Sequence, residues 1–91
     1  MNKKRDRLEV IHDILKVIQI NHNSIKPTRL LRHSNLSSQR FQEYLDELLL
    51  KGFIKEIFDK NEKKYYTLTD TGFKYLERYN LILGFIGDFN L

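Results

Sequence analysis

The sequence contains no cysteine, which excludes disulfide bonds and thiolate metal sites. One proline and four glycines are too few for a low-complexity chain, and apolar residues are spread along its length. The longest apolar run, LILGFIG, is far shorter than the roughly 20 residues of a membrane-spanning helix. The basic start MNKKRDRLEV lacks the apolar core and the cleavage site of a signal peptide. These absences predict a folded protein of a reducing cytoplasm that does not enter a membrane.

The residue patterns of catalysis and metal binding are also missing. His12, His22 and His33 are scattered, and no cysteine or acidic partner accompanies them at ligand spacing. The sequence has no glycine-rich phosphate loop, nucleophile motif or convergent pair of carboxylates. We therefore predict a protein that is not an enzyme and uses no metal and no cofactor.

Acidic residues are absent from one long window of the chain, between Asp13 and Glu43. The basic residues in that window are Lys16, Lys26, Arg29, Arg32 and Arg40. The net charge of the chain is +4, and the positive charge is concentrated before residue 65. Each cation taken alone fits a solvated helix surface, but an acid-free window of this length favours an anionic partner.

Apolar spacing predicts helices, and two runs of β-branched and aromatic residues predict strands. The predicted elements are a helix from Asp6 to about Asn21, a short extended piece at Ser24–Lys26, a helix from Pro27 to about His33, a helix at Ser38–Lys51, strands at FIKEIFD and YYTLT, and a helix from Asp70 onward. Ser37 and Thr69 are predicted N-caps, and Gly52 is predicted to end the third helix in a left-handed conformation.

A helix-turn-helix at about 27–51 followed by a hairpin at about 53–68 is the winged-helix arrangement. A last helix at about 70–89 follows the hairpin. We therefore predict a single domain, residues 1–91, of the α+β class and mainly α-helical. It is a winged helix-turn-helix with a C-terminal helix used for dimerisation.

Two stretches carry a family resemblance: IKPTRLLRHSNLSSQRFQEYLDELLLKGFIKE and KKYYTLTDTGFKYLERY. They resemble the small archaeal winged-helix proteins that bind DNA and dimerise through a C-terminal helix, and short regulators of archaeal viruses and plasmids. The resemblance covers roughly residues 5–80 and implies a DNA-binding homodimer. One departure is that members with a coiled coil carry a long charged helix, whereas LILGFIGDFNL is apolar and contains Gly84 and Gly87. Because glycine disfavours a helix by about 1 kcal/mol, this departure implies a shorter helix pair.

The outer face at the start of the third helix is the predicted DNA-reading surface. Its residues are Ser37, Ser38, Gln39, Arg40 and Gln42. Arginine suits guanine edges and glutamine suits adenine edges, and the first residues of a recognition helix usually enter the major groove. Glu43, Asp46 and Glu47 would repel phosphates, so only the first two turns are predicted to insert, unless Glu43 accepts a hydrogen bond from cytosine. The alternative is a plain solvated helix face.

Further contacts to DNA are predicted around this helix. Lys26, Arg29 and Arg32 are predicted to contact the DNA backbone. The hairpin tip is predicted to cross the adjacent minor groove or its phosphates through Lys60, Asn61, Lys63 and Lys64, the alternative being a merely soluble turn. A basic tail is predicted to track the backbone or to be disordered; its residues are Lys3, Lys4, Arg5 and Arg7.

The last helix carries two apolar stripes. Phe73, Leu76 and Leu83 form a stripe that the chain's own core is predicted to absorb. The second stripe has the 4, 3, 4, 3 spacing of a coiled-coil seam, and its residues are Tyr75, Tyr79, Ile82, Ile86 and Phe89. We predict a homodimer through this seam. The alternative is that the helix packs against the broad apolar stripe of the chain's own first helix.

Together these features predict a homodimer that binds double-stranded DNA, with or without sequence specificity. Its predicted role is that of a transcription regulator or a nucleoid-associated protein in the cytoplasm. A rival class remains open, in which the winged helix is only a scaffold and the apolar C-terminal helix docks a protein partner.

Overall fold

The computed structural model of the protein describes residues 5–91, so the predicted tail residues Lys3 and Lys4 lie outside the described part. The elements are α1 (Arg7–Ile20), α2 (Pro27–Ser34), α3 (Ser38–Leu50), β1 (Ile54–Phe58), β2 (Lys64–Leu68) and α4 (Asp70–Asp88). The two strands pair antiparallel, and Ile25 forms an isolated bridge to Tyr66 on the other side of β2. The predicted α+β, mainly helical winged-helix fold is confirmed, including the short extended piece before Pro27.

The first helix forms the centre of the core. Asp6 caps α1, because its carboxylate accepts a hydrogen bond from the backbone N–H of Glu9 at 2.8 Å. The buried side chains of α1 recur at helical spacing and are Val10, Ile11, Ile14, Leu15 and Ile18. α2, α4 and β2 all pack against this helix. Because this apolar stripe is wide, a single helix can pack against all three of these elements.

The corner between α2 and α3 is held by local hydrogen bonds. Asn35 adopts the left-handed conformation, with φ 59°, and ends α2. Ser34 is buried; its hydroxyl donates to the Leu31 carbonyl and accepts from the Leu36 N–H. Ser37 caps α3 by accepting from the Arg40 N–H at 3.2 Å, as predicted. The polar sequence SNLSS therefore fixes the angle between the two helices.

The hairpin of β1 and β2, called the wing below, begins after Gly52, whose φ of 73° confirms the predicted left-handed ending of α3. Its pairing runs from Ile54 opposite Leu68 to Phe58 opposite Lys64. The near end is anchored by the buried side chains of Ile54 and Leu68, whereas most of β1 is exposed. The near end of the wing is therefore part of the core, and its distal end projects into solvent.

The last helix is anchored at its start and exposed at its end. Thr69 caps α4 by accepting from the Gly72 N–H at 3.2 Å, as predicted. The prediction that the core absorbs Phe73, Leu76 and Leu83 is wrong for two of these residues. Leu76 is buried, but Phe73 and Leu83 are 40% and 47% exposed. Leu83 is exposed because α4 leaves the body of the domain, so that every residue from 80 onward is exposed. Phe73 lines a groove between α1 and α4 instead of entering the core.

Across residues 5–91 we find no helix with the length and apolar character needed to cross a membrane.

Candidate nucleic-acid interface

The start of α3 presents polar side chains to solvent. Phe41, Leu45 and Leu48 face the core, so the opposite side of the helix points outward. All of the predicted reading residues are exposed, namely Ser37, Ser38, Gln39, Arg40 and Gln42. The Gln42 amide donates to an Asp46 carboxylate oxygen at 2.8 Å. Within residues 5–91, the side chains of Gln39 and Arg40 form no hydrogen bond and no ion pair with other residues. Both side chains therefore remain available to a ligand.

The acidic half of α3 is less repulsive than the sequence suggested. Glu47 accepts hydrogen bonds from Arg7 Nη1 at 2.6 Å and from Lys51 Nζ at 2.8 Å, and its second oxygen also accepts from Arg7 Nη2. Two cations therefore compensate this carboxylate. Glu43 is exposed, and among the described residues no ion pair compensates it.

The tip of the wing carries two exposed lysines next to Asp59 and Glu62. Lys60, Asn61 and Lys63 are exposed, and the turn is organised by Asp59, whose carboxylate accepts from the Asn61 and Lys63 N–H groups at 2.8 and 2.9 Å. The hydrogen bond from the Lys63 N–H is the main cause that lowers the pKa of Asp59. Asp59 therefore organises the turn and stays negatively charged beside the lysines.

Lys64 differs from its predicted place at the tip. It is the first residue of β2, its Nζ lies 3.3 Å from a Glu56 carboxylate oxygen, and it sits 5.7 Å from the Tyr66 ring centroid. The hydrogen bond to Glu56 is the main cause that raises the pKa of Lys64. The reason for the correction is that the strand begins one residue earlier than YYTLT indicated.

Sequence reasoning also missed Phe58 at the distal end of β1. Its side chain is 61% exposed, close in sequence to the lysines of the wing tip. Strand alternation places it on the same face of the wing as Ile54 and Glu56. Alternation alone would have placed Phe58 on the buried face with Ile54, and its exposure follows instead from its position at the distal end of β1, where that face is no longer covered.

The helix α2, which packs against α3, carries basic residues that face solvent. Lys26, Arg29 and Arg32 are all exposed, and Lys26 precedes the first turn of the helix. The charge of Lys26 is also a minor cause of the lowered pKa of Asp59. The predicted backbone contacts of α2 are therefore accessible.

The arginines of the predicted basic tail do not extend freely from the domain. Arg5 Nη1 donates to Asp13 at 2.7 Å and Arg5 Nη2 donates to the Ser34 carbonyl at 2.8 Å. Arg7 is paired with Glu47. The tail prediction is therefore corrected for these two residues, because both guanidinium groups are held by the chain itself.

The predicted dimerisation seam divides into two parts. The Tyr75 hydroxyl donates to the Leu8 carbonyl at 2.7 Å, and burial is the main cause that raises the pKa of Tyr75 to about 12. Tyr79 stacks on His12 of α1 with ring centroids 4.3 Å apart. These two tyrosines thus contact the chain's own first helix. For this part of α4, the structure agrees with the alternative that the last helix packs against the first helix of the same chain. The remaining seam residues Ile82, Ile86 and Phe89 are exposed.

The exposed part of α4 continues into an apolar groove. The exposed large apolar residues beyond Tyr79 are Leu81, Ile82, Leu83, Phe85, Ile86, Phe89 and Leu91. The groove has a volume of about 370 Å³, and Leu8, Phe53 and Ile82 contribute its apolar lining. Lys74 and Arg78 also line it. A continuous apolar surface of this kind is uncommon on a free monomer.

A helix-turn-helix with a projecting wing and an exposed polar start of α3 defines the winged-helix class of proteins. The chain belongs to the winged helix-turn-helix family, whose model matches residues 4–84. A similar sequence is that of an uncharacterized protein of Methanocaldococcus jannaschii, 41% identical over 71 residues and aligned over 78% of this chain. The aligned part covers 66% of that relative, just under two thirds of its length.

Two solved structures share the fold. The first is Sso10a-2, a DNA-binding protein from Sulfolobus solfataricus, with a TM-score of 0.75 and 20% identity over 94% of this chain and 86% of that chain. The second is F93 from STIV, a winged-helix DNA-binding protein, with a TM-score of 0.71 and 23% identity over 88% of this chain and 91% of that chain. At these identities the likeness shows the shared fold.

Proposed function

We propose that this chain binds double-stranded DNA as a homodimer, with the first two turns of α3 in the major groove. The observation that carries the proposal is the outward face of that helix, where Gln39 and Arg40 are exposed and unoccupied by other described residues. The absence of acidic residues between Asp13 and Glu43 supports it. The structurally similar proteins Sso10a-2 and F93 are both described as DNA-binding, which supports it further.

Base contacts and phosphate contacts fall to different residues under this proposal. Gln39 and Arg40 read base edges, helped by Ser37, Ser38 and Gln42. The phosphate contacts are made by Lys26, Arg29, Arg32, Lys60 and Lys63, with Lys64 joining only if it leaves Glu56. Each neutralised phosphate contributes about −0.9 to the slope of log affinity against log salt. A protomer with about five contacts therefore loses affinity steeply as salt rises.

The homodimer is proposed from the exposed half of α4. A helix that is apolar nearly all round is normally buried, and the described part of the chain leaves residues 80–91 uncovered. Gly84 and Gly87 have nothing within 4 Å of a Cβ placed on them, so this half of α4 is uncovered on their faces as well as along the seam. A two-fold dimer presents two copies of α3 about one turn of DNA apart, roughly 34–36 Å, or a multiple of that spacing.

The proposed role is that of a transcription regulator or a nucleoid-associated protein, acting on chromosomal DNA in the cytoplasm and without enzymatic activity. The two roles use the same interface and differ in specificity. A specific regulator binds its site typically 10³-fold or more tighter than random DNA, whereas an architectural protein shows a small ratio. Selection of bound fragments from a random duplex pool measures that ratio directly.

The proposed function is tested by fluorescence anisotropy on labelled duplex DNA between 50 and 200 mM salt. We expect binding whose affinity falls by orders of magnitude over this range. Arg40→Ala should weaken binding. Lys16→Ala is the matched control that removes the same charge from a groove between α1 and α4, and it should have little effect. Absent or salt-independent binding would favour the rival function, in which the apolar half of α4 docks a protein.

A further inference from the structure

The beginning of α1 is tied to both helices of the helix-turn-helix. Arg7 meets both carboxylate oxygens of Glu47 on α3, one of them at 2.6 Å. Arg5 donates to the carbonyl of Ser34, the last residue of α2, at 2.8 Å. Asp13 holds the other side of the Arg5 guanidinium at 2.7 Å. Two consecutive helices are thus attached to α1 by side chains far from them in the sequence.

The form of these contacts fixes orientation as well as distance. An arginine that meets both oxygens of a carboxylate constrains the angle of the pair, which a single point charge does not. Gln39 lies about 12 Å along the helix axis from Glu47, at about 1.5 Å of rise per residue. A tilt of about 10° around Glu47 would therefore displace Gln39 by roughly 2 Å, beyond the tolerance of a hydrogen bond to a base.

We infer that Arg7 and Arg5 are positioning residues that set the angle of α3 for DNA reading, and that neither contacts the phosphates of DNA. This inference rests on the proposed function. Arg7 also compensates the charge of Glu47, so that the third turn of α3 can approach the DNA backbone. The pair of Arg7 with Glu47 is exposed, and exposed ion pairs contribute little to folding stability, so single variants of this pair are expected to remain folded.

A comparison of Glu47→Gln with Glu43→Gln separates positioning from simple electrostatics. Both changes remove one negative charge from α3, and charge alone predicts tighter binding to DNA for both. If Arg7 positions α3 through Glu47, then Glu47→Gln should weaken binding about threefold to tenfold while Glu43→Gln strengthens it. The inference is overturned if Glu47→Gln binds as tightly as the wild type or more tightly.

The salt dependence of Arg7→Ala gives a second, independent readout. Loss of a phosphate contact lowers the salt slope by about 0.9, as expected for Lys63→Ala. Loss of a positioning residue weakens binding but leaves the slope unchanged. A slope reduced to the value of the Lys63 variant would therefore overturn the inference.

Failure of the proposed function is distinguishable from failure of this inference. If the wild type binds no duplex DNA, the proposed function fails, and positioning is then measured without DNA. Amide hydrogen exchange at residues 38–42 should be faster in Arg7→Ala than in the wild type, because α3 loses its attachment to α1. Unchanged exchange in the folded variant would overturn the positioning role by itself.

Discussion

The imidazole ring of His12 on α1 stacks on the phenol ring of Tyr79 on α4, with centroids 4.3 Å apart and planes 21° from parallel. The part of α4 that precedes Tyr79 packs on the domain, since Leu76 is buried and the Tyr75 hydroxyl donates a hydrogen bond to the Leu8 carbonyl. Every residue that follows Tyr79 in the chain is exposed. The contact therefore marks the boundary between the part of α4 that folds the protomer and the part that we propose pairs two protomers.

Ile86→Asp should convert the dimer to a monomer without unfolding the domain. The side chain lies in the exposed half of α4, so a carboxylate there meets water in the monomer but would be desolvated between two helices. Sedimentation or light scattering measures the mass, and circular dichroism verifies the helix content. Asn90→Asp adds the same charge to an exposed polar position and should leave the mass unchanged. A dimer that persists in Ile86→Asp would refute the proposed seam.

Tyr75→Phe should make the protein less sensitive to alkali. The pKa of Tyr75 is raised to about 12, first by burial, from an unfolded value near 10. Because the folded pKa is the higher one, the contribution of this tyrosine is complete below pH 10 and is lost as the pH rises from 10 through 12. At neutral pH the variant also loses the hydrogen bond to the Leu8 carbonyl, which costs about 1 kcal/mol.

Urea unfolding of both proteins between pH 8 and 12 checks this. Lysines titrate over the same range in both chains, so only the difference between the two curves reports Tyr75. The free energies of unfolding should converge above pH 10. A constant difference up to pH 12 would show that Tyr75 ionises equally in the folded and unfolded states.

The fold could be predicted from the sequence because its determinants are local. Ser37, Thr69 and Gly52 mark helix ends by chemistry that acts within a few residues, and the apolar periodicity of α1 needs no knowledge of its neighbours. The start of β2 was misplaced by one residue, because Lys64 extends the ladder opposite Phe58 through backbone pairing that no side-chain pattern reveals.

The interface was only partly predictable for a different reason. The exposure of Gln39 and Arg40 follows from the period of α3 alone. The pairing of Arg7 with Glu47 joins residues 40 positions apart, and no spacing rule connects them. The apolar stripes of α4 were visible, but which of them the protomer covers depends on the direction in which the helix leaves the core.

Gln39→Ala and Lys63→Ala should affect DNA binding in different ways. Gln39 is proposed to read a base. Its loss should cost about 1–3 kcal/mol of binding free energy on the preferred sequence, so that the preferred sequence and random DNA are bound with more similar affinities. Lys63 is proposed to contact phosphate, so its loss should weaken all sequences alike and lower the salt slope by about 0.9. Binding curves for one preferred and one scrambled duplex distinguish the two outcomes, and the reverse pattern would reassign both residues.

Gly72→Ala should destabilise the domain, whereas Gly84→Ala should stabilise α4. A Cβ at Gly72 would collide with the Phe53 carbonyl oxygen, which is backbone and cannot rotate away. We expect a loss of about 1–3 kcal/mol from this overpacking. At Gly84 nothing lies within 4 Å of a new Cβ, so alanine should gain up to about 1 kcal/mol from its higher helix propensity.

Thermal unfolding of both variants tests this contrast at protein concentrations low enough to keep the chain monomeric. At higher concentration Gly84→Ala should leave the proposed dimer in place, because Gly84 lies on the face of α4 opposite the seam residues Ile82 and Ile86 at 100° per residue. The variant should then show a more stable monomer and an unchanged dimer. If Gly84→Ala weakens the dimer, the pairing of α4 uses the face that carries Gly84, and the proposed seam is refuted.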